Sequence, residues 1–376
     1  MSPFAAFFYA GFSPILLSLA QYPATRWLTA FFLPHMIAPS GLLLLGIRVL
    51  GSVLFVLGLL IFLACAGQVY FNKFARRGVA LRGLYSLIRH PQYVGLILAG
   101  IGLAILWPRF IVVALWPVMA LLYYFLAKDE ERRMLRQHEN EYRQYMGKTG
   151  MFFPASVEGL LARAPLPKAE WVRGAAIFGV VACLSLGGAF AMRFYSIGQI
   201  PHWSNGSITA VPILTDDIGK LEHRMADILE IPEIKKRIQD ASTGYLVYFM
   251  QPNYIMQGLI ADTGERWGLY RRHRTFANFL DWVFHPFGHL EGGHTDRVHA
   301  GTHLGSLPAG NDATRRLIFL RVETRSADPT IEALFGINAP RIPSFFADVN
   351  VHTGELQEVH DLPSGTAWWR VPTPTF

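Results

Sequence analysis

The sequence predicts a multi-pass α-helical membrane domain of about four to five transmembrane helices, followed by a soluble α+β domain. Three observations carry this. Of 376 residues, 52% are hydrophobic and only 16% charged, against roughly 25% charged in an average soluble domain. The charge is unevenly divided: residues 1–193 hold 18 Lys/Arg and 7 Asp/Glu, a net of +11, whereas residues 194–376 hold 16 and 20, a net of −4. The apolar residues of the first part also fall into runs approaching the ~20 residues that cross a bilayer. The expected domains are therefore a membrane domain, 1–193, and an extracytoplasmic α+β domain, 194–376.

Taken in order, residues 4–20 are apolar but contain Pro14 and lead into Tyr22-Pro23, which leaves a span or a re-entrant segment open. No Lys or Arg precedes this run, so it makes a poor signal peptide. Residues 49–66 form a span, with Arg48 snorkelling at its edge. Residues 92–107 and 110–127 form a pair separated by Trp107-Pro108-Arg109, the spacing of a tight helical hairpin. Gly95, Gly100 and Gly102 read as helix-packing positions, since small residues let membrane helices approach. Residues 174–192 form the last span.

Positive charge orients these spans. Loop 67–91 holds Lys73, Arg76, Arg77, Arg82 and Arg89 and no acidic residue, and loop 128–173 is also rich in Lys and Arg. Both are expected on the cytoplasmic side. The last span then places residues 194–376 outside the cytoplasm, in the periplasm of a bacterium. The basic excess lies between apolar runs without a basic-aromatic nucleic-acid motif, so no nucleic-acid partner is expected.

In the second part, residues 217–230 read as helical, and Pro232 suits the first turn of a helix to about Gln239. Tyr245–Gln251 and Arg316–Glu323 read as strands. Asp262-Thr263-Gly264-Glu265 and His352-Thr353-Gly354-Glu355 read as turns in which glycine supplies a positive φ. The two cysteines, Cys65 and Cys183, lie in apolar runs and form neither a disulfide framework nor a haem or zinc motif.

The chemistry concentrates in residues 83–154. Gly83-Leu84-Tyr85, then Arg89-His90-Pro91-Gln92-Tyr93-Val94-Gly95, precede and enter one apolar segment; Glu130-Glu131 follows the next; Tyr142, Tyr145 and Pro154 come after. The hairpin returns the chain to the same face, so Arg89-His90 and Glu130-Glu131 can meet at one interface, beside an apolar wall. Taken singly, the arginines suit topology anchors, the glutamates a solvated helix, and the tyrosines an interfacial belt.

Together, these pieces resemble the isoprenylcysteine carboxyl methyltransferase and phospholipid methyltransferase superfamily over roughly residues 40–155. The resemblance implies an integral-membrane transferase that uses S-adenosylmethionine. It assigns Arg89 and Glu130 as catalytic, and Tyr85, His90, Pro91, Tyr93, Gly95, Glu130, Glu131 and Tyr142 as cofactor-binding. Membrane sterol-type reductases share Arg-His-Pro-x-Tyr but usually carry Asn after the proline and Glu after the glycine. Gln92 and Leu96 stand there in this chain. One departure from the methyltransferase pattern is His138-Glu139, where the family often has Phe-Gly.

S-adenosylmethionine carries a sulfonium, an ammonium and a carboxylate. Glu130 or Glu131 suits the ammonium or ribose hydroxyls, and Arg89 and His90 the carboxylate. A carboxylate tight against a sulfonium that loses its charge would oppose reaction, so the glutamates are assigned to the cofactor's ends. Most of the catalysis then comes from positioning and desolvation.

His285, His289, His294 and His299 lie close together in a Gly- and Pro-containing stretch, with His303, Glu291 and Asp296 nearby. They are candidate ligands for a transition metal, since neutral imidazole binds zinc, copper or iron; polar loop histidines are the alternative. No HExxH string occurs, so zinc-protease chemistry is not indicated.

Two functions follow. One is a membrane methyltransferase acting on a membrane lipid or a small hydrophobic acceptor. The other is a non-catalytic structural or assembly subunit that keeps the fold and binds a protein partner or metal through residues 194–376.

Overall fold

A computed structural model describes residues 12, 14–34, 41–75, 82–161, 163, 167, 169–238, 244–252, 254, 257, 260–261, 263, 284, 313–323 and 329–363. The chain forms two compact units: residues 41–192, and residues 1–40 together with 193–376.

The first unit is helical. Its helices are α1 (Leu42–Phe74), α2 (Pro91–Leu106), α3 (Phe110–Gln137), α4 (Glu139–Lys148), α5 (Ala155–Leu161) and α6 (Glu170–Gly198), which runs on into the second unit. Among the described residues, three helices are long and apolar enough to cross a membrane: α1, α3 and Trp171–Gly198 of α6. Only 6% of the apolar window of α6 is buried in the protein, so those side chains need a non-aqueous surrounding. Helix α2 is apolar but has only 16 residues. Pro91 occupies its first turn, where a missing N–H leaves no intrahelical bond unmade.

Helix α1 continues beyond residues 49–66 to Phe74. No proline interrupts Gly67–Phe74, so backbone bonding carries through what charge alone marks as loop. Helix α3 likewise continues to Gln137 and carries Glu130 and Glu131 on its last turns.

Helices α1 and α2 meet backbone to backbone. A Cβ on Gly58 would lie 2.4 Å from both Ala99 N and Gly95 O, and one on Gly95 would lie 2.7 Å from Gly58 O. A Cβ on Gly102 would come within 2.4 Å of Phe55 N. The expected packing role of Gly95 and Gly102 is thus realised against α1. Gly100 instead faces α3, where a Cβ would meet Met119 Cε at 2.6 Å. There Trp116 Nε1 donates to the Ile97 carbonyl at 3.1 Å.

In the second unit, residues 14–21 are helical, and the chain breaks at Tyr22 before the short helix Pro23–Arg26. Leu16, Ala20, Phe31 and Leu33 are buried. Arg193 ties this segment to the rest of the unit by donating to the carbonyls of Phe31 and Phe335.

The remainder is a six-stranded sheet ordered β1 (Trp203–Asn205), β2 (Ile208–Pro212), β3 (Gly244–Met250), β4 (Thr314–Val322), β5 (Arg341–Asn350) and β6 (Leu356–Asp361). Among the described strands of this sheet, only β2 and β3 pair in parallel. The crossover between them contains a 3-10 turn, Thr215–Lys220, then α7 (Leu221–Leu229) and α8 (Pro232–Arg237). Parallel strands require such a crossover, and its apolar face covers the sheet. Leu221, Met225, Ile228 and Ile234 pack with Val247, Phe249, Phe319 and Phe345 on one face. Leu246, Tyr248, Ile318 and Leu320 pack with Ile197, Leu334 and Phe335 on the other.

The expected strands and helices of this part are present within a few residues of their predicted bounds. Gly354, at φ +71°, makes the turn between β5 and β6. The Asp262–Glu265 turn lies largely outside the described residues.

Candidate active site

The site forms in the helical unit, where the chain entering α2 meets the last turns of α3 and the end of α4. Gly83, at φ +65°, opens a 3-10 turn (Gly83–Ser86) that brings Tyr85 inward. Tyr85 is 4% exposed, and its hydroxyl donates to Gln92 Oε1 at 2.9 Å. Arg89 and His90 follow in the short connection to α2. Their backbone N–H groups donate to the carbonyls of Gly150 (2.9 Å) and Met151 (3.1 Å), a short parallel bridge to the chain leaving α4.

The two glutamates differ. Glu131 is buried and accepts from Arg89 Nε at 2.6 Å. The same guanidinium donates through Nη1 to the carbonyls of Met146 and Thr149 at the end of α4. Glu130 is about half exposed, with a side-chain exposure of 47%, and accepts from the Tyr93 hydroxyl. Arg89 and Glu131 thus clamp three segments together, while Glu130 faces open space.

His90 sits between the carboxylates and is 3% exposed. Its Nδ1 lies 3.4 Å from Glu130 and its Nε2 3.4 Å from Glu131. Neither nitrogen makes a well-aligned hydrogen bond among the described residues, so these contacts reflect proximity more than directional bonding. Burial alone would lower the imidazole pKa; the two carboxylates outweigh it and hold His90 above its ordinary value. The ring stacks on Tyr93 at 5.7 Å, and Tyr93 stacks on Tyr123 at 5.3 Å. Burial, reinforced by neighbouring negative charge, raises the Tyr85 and Tyr142 hydroxyls above the usual phenol range. They remain protonated and can donate.

A cavity of about 640 Å³ opens here, within the roughly 300–1,000 Å³ typical of ligand sites. Of the residues expected from the sequence, Tyr85, Arg89, His90, Glu130 and Tyr142 line it. Tyr93 and Glu131 support the lining through Glu130 and Arg89. Pro91 starts α2, and Gly95 faces α1. The cavity also takes in Val69, Asn72 and Lys73 from α1, and Arg133, Met134, Gln137 and His138 around the end of α3. These were not expected. The spacing 69, 72, 73 is one helix face, but it is visible only once α1 is known to extend past residue 66.

The lining suits a cofactor with separate charged groups. Glu130 offers an acceptor for an ammonium or hydroxyls, and beside it His90 keeps two buried ring nitrogens without a well-aligned hydrogen bond among the described residues. Among the described residues, no group of three His, Cys, Asp or Glu is arranged to hold a metal ion. His285, His289, His294 and His299 lie outside the described residues.

No curated protein and no solved structure matches the chain at a significant level. Residues 35–141, the segment that carries Tyr85, Arg89, His90, Glu130 and Glu131, match the phospholipid methyltransferase family model.

Proposed function

We propose that the helical unit is an integral-membrane methyltransferase that binds S-adenosylmethionine in the cavity at His90 and Glu130. Its acceptor is a membrane lipid or a small hydrophobic molecule. The observation that carries this reading is the convergence of Tyr85, Arg89, His90, Glu130 and Tyr142 on one cavity, largely within the segment that matches the family model. When bound, S-adenosylmethionine supplies an electrophilic methyl group on a sulfonium.

The chain's own residues bind and orient. Glu130, reached from the cavity, holds the ammonium or ribose hydroxyls. His90 presents positive charge to the carboxylate, and Tyr85 and Tyr142 supply hydroxyl donors. Arg89 and Glu131 keep these groups in register. Displacement at a methyl carbon needs alignment and exclusion of water more than proton transfer.

The proposed topology places the basic segments 67–91 and 128–173 at the cytoplasmic face and residues 194–376 outside the cytoplasm. Of the expected membrane domain, 1–193, residues 41–192 then act as the methyltransferase-like part, while residues 1–40 belong with the expected extracytoplasmic α+β domain, 194–376, in one compact unit. The second reading, a structural or assembly subunit, draws on His138, which stands at the α3–α4 junction where the family often has phenylalanine.

Calorimetric titration of detergent-purified protein with S-adenosylmethionine tests the proposal. The parent is expected to bind, and His90→Ala or Glu130→Gln to bind about tenfold or more weakly, the value of one hydrogen bond to a charged group. No binding by the parent, or binding unchanged from the parent in both variants, would favour the structural-subunit reading.

A further inference from the structure

Glu158 lies in α5, outside the cavity lining. One of its carboxylate oxygens gathers three successive backbone N–H groups. Oε1 accepts from Met151 at 2.7 Å, Phe152 at 3.0 Å and Phe153 at 3.3 Å. Such a cluster ties the backbone of all three residues to one acceptor oxygen.

The same stretch supports the site directly. The carbonyls of Gly150 and Met151 receive the N–H groups of Arg89 and His90. The Phe152 ring lies 6.1 Å from the His90 imidazole. His90 depends on this support. It precedes Pro91, which disfavours helical geometry for it, and its backbone stands at φ −126°, ψ 57°. Its ring is equidistant from two carboxylates, so a small rotation of that backbone favours one contact over the other.

We propose that Glu158 is a positioning residue for the methyl-transfer site: it fixes the 151–153 backbone, which in turn sets the placement of Arg89 and His90. This rests on the proposed S-adenosylmethionine site. A purely local role, holding the start of α5, would affect stability and leave His90 unchanged.

The test uses full-length protein in detergent with labelled histidine, the His90 resonance being identified by its loss in His90→Gln. The His90 titration midpoint and S-adenosylmethionine affinity are measured for the parent, Glu158→Ala and Glu158→Gln. Glu158→Ala is expected to lower the midpoint and to weaken binding about tenfold. Glu158→Gln retains an acceptor oxygen and should stay within about threefold of the parent. Should Glu158→Ala fail to fold, Glu158→Asp, which withdraws the oxygen by one methylene, gives the same readout.

A lower unfolding temperature with an unchanged His90 midpoint and affinity would overturn the inference. If the parent binds no S-adenosylmethionine, the functional proposal fails by itself, and the His90 midpoint still decides the role of Glu158.

Discussion

Arg89 and Glu131, 42 residues apart in the chain, share a 2.6 Å ion pair in which both side chains are at most 10% exposed. Because the same guanidinium reaches the carbonyls of Met146 and Thr149, one residue joins the start of α2, the last turns of α3 and the end of α4. The pair therefore acts on architecture first, and on chemistry through it.

Removing one partner leaves a buried charge uncompensated, which costs about 3–5 kcal/mol. Glu131→Ala should lower the unfolding temperature in detergent markedly. The double variant Arg89→Met, Glu131→Leu should be less destabilised than the sum of its single variants. Additive losses would show that the two residues do not act as a pair.

His90 gives a pH dependence. Its pKa in the folded protein is raised, because Glu130 and Glu131 outweigh burial. The stabilisation is therefore fully present below about pH 6.5, the ordinary imidazole value. It is lost as pH rises through the higher folded value. Glu130→Gln removes one carboxylate and should move the His90 midpoint down, as read by NMR titration. A parent midpoint at or below 6.5 would contradict the geometry.

The α1–α2 contact makes a steric prediction. Gly95→Ala would place a methyl group 2.7 Å from Gly58 O and 2.8 Å from Phe62 N, and backbone atoms cannot withdraw as a flexible side chain can. A loss of about 1–3 kcal/mol is expected from such overpacking. Gly67→Ala, on the same helix as Gly58 with nothing within 4 Å of the new Cβ, is the control and should be near neutral. Equal thermal shifts for the two variants would refute close contact at Gly95.

The sequence exposes some of this architecture directly. Long apolar runs announce α1, α3 and α6 because membrane crossing demands length and composition together. Arg89, His90, Glu130 and Tyr142 are legible because a polar cluster flanking apolar segments is conspicuous. The α7–α8 pair and strands β3 and β4 follow from helical periodicity, Pro232 and dense β-branched and aromatic residues. The extension of α1 to Phe74 is not legible, since Lys73 and the arginines after it look like a loop. With it, Asn72 and Lys73 escape notice. Glu158 is invisible in sequence for a different reason: its partners are backbone amides, which every residue carries. The different duties of Glu130 and Glu131 also need three dimensions, because adjacent residues on a helix point about 100° apart.

The histidine-rich stretch yields a prediction independent of the site. If His285, His289, His294 and His299 bind a transition metal, untagged protein should carry metal and lose it to a chelator. Binding should weaken as pH falls through about 6.5, where protons compete for imidazole. His289→Ala with His294→Ala should remove the metal and leave S-adenosylmethionine binding intact. Elemental analysis finding no metal would return these histidines to ordinary polar roles.

The proposed topology is checked at the C-terminus. A cysteine-bearing tag after Phe376 should react with an impermeant reagent applied from outside the cytoplasm. Reaction only after the cytoplasmic side is opened would reverse the orientation.

The pairing of β3 with β4 governs the order in which the sheet can assemble. Residues 251–313 separate the two strands, so a chain emerging from the ribosome completes β1, β2, α7, α8 and β3, and can pair β3 with β2, long before β4, the second partner of β3, exists. Closing that long connection is an entropic step that must precede the contacts rewarding it. Until then Gly244–Met250, buried at every position in the finished sheet, offers an open hydrogen-bonding edge to any extended chain nearby. Nascent protein truncated before residue 314 should therefore be the aggregation-prone species, and the arrival of β4 the event that ends the hazard.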